Sequence, residues 1–76
     1  MSGPRYAIQD KATGKFCFFG SYRTIRLVDK PWDATLYVNK ARADAKMDRA
    51  YHMLGDKRVL PSELRIAKMM LTYEVL

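Results

Sequence analysis

The sequence predicts an α+β fold: a small antiparallel β-sheet of three to five strands with one α-helix, at about residues 39–54, packed on one face. Three observations carry that expectation. Residues 5–19 alternate in polarity about a glycine turn, residues 39–54 run without a break between a capping residue and a glycine, and the chain ends in a stretch rich in β-formers. No internal repeat divides the chain, and its 76 residues allow a single domain, 1–76.

The first strand is read from Arg5 to Asp10, with Tyr6 and Ile8 on one side and Ala7 and Gln9 on the other. Gly14 can take the left-handed conformation that closes a short loop, and Lys15 to Phe19 returns as the second strand. That strand offers Phe16 and Phe18 to one face and Cys17 and Phe19 to the other, so both faces carry large apolar groups. Tyr22 to Val28 reads as a further strand or an ordered loop. Pro31 between aspartates marks a turn, and Thr35 to Val38 a short strand.

Asn39 is a good N-cap, and Gly55 stands where helices commonly end. Ala43, Met47, Ala50 and Leu54 make one apolar stripe, with a mixed-charge face opposite. Asp56 to Glu63 is read as a connection. From Leu64 to Leu76 a helix starting near Ser62 competes with a strand whose parity switches at a bulge near Lys68 or Met69; the β-formers of Leu71–Val75 favour the strand.

Composition narrows the chemistry. Nearly half the residues are apolar, which separates the chain from disordered sequences. No apolar run has the length of a membrane span, the first residues lack the apolar stretch of a secretory signal, and one cysteine cannot close an internal disulfide. The expected location is the cytoplasm. Cys17 among phenylalanines is expected to be a packed apolar side chain. It and the single histidine, His52, stand too few and too far apart for a zinc site, and no catalytic motif is visible. His52 is expected at the helix C-terminus, on the surface or capping it. The expectation is a protein that is not an enzyme and holds no cofactor or metal.

The residues Tyr6-Ala7-Ile8-Gln9-Asp10, Thr13-Gly14-Lys15, Trp32, Ala34-Thr35-Leu36-Tyr37, Ala43 and Leu71-Thr72-Tyr73-Glu74-Val75 together resemble the pattern of small bacteriophage-encoded accessory proteins. The resemblance implies a basic accessory protein, acting in the host cell cytoplasm, that binds and modulates a host protein.

The net charge of +6 is concentrated early: residues 1–30 hold six bases against two acids. Such a field favours acidic protein surfaces or polyanions. A helix can cover one face of the sheet only, so the second face needs the Gly20–Trp32 segment, a second copy of the chain in a homodimer, or a partner. The expected partner surface therefore combines Phe19, Tyr22 and Trp32 with Arg23, Arg26 and Lys30, unless those aromatics simply complete a monomer's core. Bases interleaved with aromatics in the first half make a nucleic-acid-binding module the alternative to a protein binder.

Overall fold

In a computed structural model that describes residues 3–70, the first turn is organised by Asp10. Its carboxylate accepts from the Thr13 amide at 3.0 Å and the Thr13 hydroxyl at 2.7 Å, while Gly14, at φ +75°, donates to the Asp10 carbonyl at 2.8 Å. Strands β1 (Pro4–Asp10) and β2 (Phe16–Phe19) meet here, as the sequence predicts. Then follow β3 (Thr24–Val28), β4 (Leu36–Tyr37), helix α1 (Lys40–Met47), β5 (His52–Leu54), β6 (Lys57–Val59) and β7 (Leu64–Met70). Single 3₁₀ turns lie at Pro31–Asp33 and Pro61–Glu63.

The α+β class holds, but among the described residues the sheet has seven strands rather than three to five, and it is mixed rather than antiparallel. Strand β7 pairs antiparallel with the full length of β1, from Pro4↔Met70 to Asp10↔Leu64, with no bulge at Lys68 or Met69. Residues 71–76, which include the predicted end of this strand, lie outside the described residues. The other edge of β1 is shared, by β2 at Gln9↔Phe16 and by β4 at Tyr6↔Tyr37 and Ala7↔Leu36. Beyond β2 the order is β3, β5, β6, with β3 and β5 parallel. A parallel pair needs a long crossover, and residues 29–51, helix included, supply it.

The helix is half as long as expected. Asn39 caps it, accepting from the Arg42 amide at 2.9 Å, but Asp48 closes it. The predicted stripe therefore divides: Ala43 and Met47 reach the core from the helix, Ala50 is exposed, and Leu54 reaches the core from β5. Gly55 is left-handed at φ +62°, yet it opens the two-residue turn between β5 and β6 rather than ending a helix. The expected connection Asp56–Glu63 accordingly contains a strand. Pairing with β3 and β6 outweighs the weak helical preference of His52-Met53-Leu54.

Register sorts every strand residue between two faces. The inner face carries Tyr6, Ile8, Cys17, Phe19, Ile25, Leu27, Leu54, Val59, Leu64 and Ile66, the core on which Ala43 and Met47 pack. The two outermost strands, β6 and β7, are joined by only residues 60–63. Five Cα steps reach about 18 Å at most, whereas five strand spacings in a flat sheet span about 24 Å. The sheet must curl, and its concave side holds the core.

Candidate functional site

The opposite, outer face is assembled from short alternating segments. In Ile25-Arg26-Leu27, Lys57-Arg58-Val59 and Leu64-Arg65-Ile66 the register puts the flanking residues on the inner side, apolar and packed in all but the exposed Lys57, so the arginine between them is forced outward. Arg5, opposite Met69, joins them from β1. Rows of directly opposed residues cross this face: Leu36, Ala7 and Ala67; then Arg65, Gln9, Phe16 and Val28; then Phe18 and Arg26; then Thr24, Met53 and Arg58. Four guanidinium groups lie on it, and among the described residues the strand positions facing this way include no carboxylate.

The arginines are held in place by neutral partners. Arg65 donates through Nε to Gln9 Oε1 at 2.7 Å, and Gln9 in turn donates to the Gly14 carbonyl at 2.7 Å. The Arg26 guanidinium lies 4.8 Å from the centre of the Phe18 ring, which is 38% exposed, and Arg58 lies 4.7 Å from that of Tyr51. Such contacts orient a guanidinium without neutralising it. The ion pairs among the described residues, Lys15–Asp29, Lys40–Asp44 and Lys57–Glu63, use lysines only. Laterally, Arg65 on β7 and Arg26 on β3 stand three strand spacings apart, about 14 Å. The helix packs on the inner face, and on the outer face Phe18, Arg26, Arg58 and Arg65 are exposed while Ala7 is fully buried.

The residues expected from sequence to form one partner surface are distributed over the molecule. Arg26 lies on the outer face. Phe19 points inward, its ring 5.0 Å from that of His52 with the Lys46 ammonium 5.1 Å from its centre. Tyr22 and Arg23 form the turn between β2 and β3 at one end, and Lys30 with Trp32 lies beyond the other end of β3; Tyr22 is 96% and Trp32 61% exposed. Arg5, next to Tyr6, belongs to the bases interleaved with aromatics in the first half, whereas Arg58 and Arg65 lie outside that stretch, although the alternation on either side of each places them on the same face.

His52 corrects another expectation: it is fully buried on β5, not at the surface. It nonetheless caps the helix from outside, since Nε2 lies 2.9 Å from the Lys46 carbonyl in the last helical turn. Burial, with the nearby Lys46 and Arg49 charges, moves its pKa below the ordinary histidine value. Its Nδ1 is buried without a hydrogen-bond partner, so the neutral form with the proton on Nε2 fits the site. Burial and then the Asp10 charge push the Cys17 thiol up to about 12, which leaves it protonated and unreactive.

No helix among the described residues is long and apolar enough to cross a membrane. No family model, curated protein or solved structure matches this chain.

Proposed function

We propose that this protein is a non-catalytic binding module that takes single-stranded nucleic acid on the outer face of its sheet. The observation that carries the reading is four outward arginines with Phe16 and Phe18 between them and, among the described residues, no opposing carboxylate on the strands. Guanidinium groups neutralise phosphates, and aromatic rings on an open sheet accept bases by stacking without demanding a sequence. Asp10, the one acid buried in a strand among the described residues, faces inward and is consumed by its own turn. Fluorescence anisotropy on labelled oligothymidine and oligouridine tests this. Reversing charge at Arg26 and Arg65 together (R26E/R65E) should weaken binding at least tenfold, about 1.4 kcal/mol, whereas K40E/R42E on the helix leaves it unchanged. Equal losses from both variants, or no binding by the unaltered protein, would overturn the reading.

A second reading keeps the accessory protein of the phage resemblance, which modulates a host protein from the host cytoplasm. It takes its support from Trp32, exposed at the end of β3, because tryptophan is enriched at the centres of protein-binding surfaces. Capture of one bacterial protein that disappears with W32A and persists with R26E/R65E favours this reading over the first.

A further inference from the structure

The turn between β2 and β3 is built against its own stability. The Thr24 amide donates to the Ser21 carbonyl at 3.1 Å, and the two residues between them, Tyr22 at φ +54° and Arg23 at φ +66°, are both left-handed. This is the geometry of a type I′ hairpin turn, which Asn-Gly satisfies without strain and bulky side chains do not. The conformation is enforced from several sides. The Thr24 hydroxyl also donates to the Ser21 carbonyl, at 2.7 Å, the Gly20 amide donates to the Thr24 carbonyl at 2.9 Å, and the Met53 amide holds the Arg23 carbonyl at 2.9 Å. Tyr22 returns nothing to folding, since it is almost wholly exposed. Strain retained at an over-determined turn, with a side chain that packs on nothing, points to a role outside the fold.

Arg23 shows what that role acts on. Its guanidinium lies 5.4 Å from the centre of the Tyr51 ring, and that of Arg58 lies 4.7 Å from the same centre. The two distances limit the separation of the guanidinium carbons to about 10 Å, a spacing at which two cations can flank neighbouring phosphates. Neither arginine is paired with a carboxylate among the described residues. Two like charges on one ring repel in the free protein, so the arrangement gains energy when an anion arrives. Tyr51 immediately precedes β5, and Arg58 belongs to the outer face, so the pair sits where that face meets the strained turn.

From this we infer that Arg23 and Arg58, seated on Tyr51, form a phosphate subsite at one end of the outer face, and that Tyr22 stacks on the adjoining base. The inference rests on the nucleic-acid reading above and names a subsite within it. The turn holds Arg23 at the rim of the face and aims Tyr22 into solvent, which a relaxed Asn-Gly turn would not do.

The test replaces the turn by its relaxed counterpart, Y22N/R23G, with R58Q as a second variant. The relaxed turn should raise the melting temperature while weakening binding of labelled ten-residue oligothymidine at least fivefold. R58Q should weaken binding comparably with no change in melting temperature. Both variants binding like the parent, while R26E/R65E does not, would refute the subsite and leave the outer-face reading standing. A direct readout comes from titrating the parent with inorganic pyrophosphate. Movement of the Arg23 and Arg58 Nε–Hε resonances supports the subsite even if the oligonucleotide fails to bind. Still resonances together with unchanged variants overturn it. If Y22N/R23G melts lower than the parent, the turn is a structural element and the strain reasoning is wrong.

Discussion

Salt should weaken nucleic-acid binding by an amount that the outer face fixes. For single strands the slope of log K against log salt is about −0.7 per phosphate neutralised. Arg5, Arg26, Arg58 and Arg65 engaging four phosphates give a slope of about −2.8. Between 50 and 200 mM salt the affinity should then fall roughly 50-fold. Removing one cation, by R26A or R65A, should reduce the slope by about 0.7 and lower affinity most at low salt, whereas F18L should lower affinity equally at every salt concentration. Anisotropy titrations at five salt concentrations give the slope directly. If R26A and R65A keep the full slope, the phosphates lie elsewhere; a slope near zero in the parent would mean that binding is not electrostatic, and the arginines have been misassigned.

Three further outcomes concern the fold that carries this face. Because His52 has a depressed pKa when folded, its contribution is complete above the ordinary value and is lost as pH falls through the folded value. Between pH 7 and 5 the parent should lose more stability than H52Q in urea titrations, with a ceiling of about 1.4 kcal/mol per pH unit from one group; parallel curves would show that His52 does not titrate in this way. Cys17 should resist a thiol reagent at pH 8 until the protein is unfolded in denaturant, and rapid labelling of the native protein would contradict its burial. D10A removes the acceptor of both Thr13 bonds and should cost about 1 to 3 kcal/mol, with D10N costing less; equal stability of D10A and the parent would show the first turn to be independent of Asp10.

What the sequence conveyed and what it concealed follow from the range of the interactions involved. The first hairpin was legible because strong local signals agree there: alternation at Tyr6 and Ile8, Gly14 in the turn, alternation again through Phe19. The start of the helix was equally local, fixed by Asn39. Its end was not. Ala43, Met47, Ala50 and Leu54 satisfy a helical period, yet the pairing of His52–Leu54 with Thr24 and Ile25 depends on residues more than 25 positions away. Gly55 supplied a left-handed residue, which serves a helix end and a hairpin equally well. The same limit applies to the site. Charge counting drew attention to the N-terminal half, and Arg26 was found there. Arg58 and Arg65 reach the same face only because β6 and β7 join the sheet, and the arginine signal lay in parity rather than in local density. Tyr22 and Arg23 were singled out for composition, whereas what distinguishes them is backbone conformation.

The most direct test of the outer face as the binding surface is to follow the arginine Nε–Hε resonances by NMR while ten-residue oligothymidine is added. Arg5, Arg26, Arg58 and Arg65 should move together and saturably, with Arg42 and Arg49, at and beyond the helix, unmoved. Movement of Arg42 and Arg49 with the four outer-face arginines still would place the nucleic acid on the helix side and contradict the account.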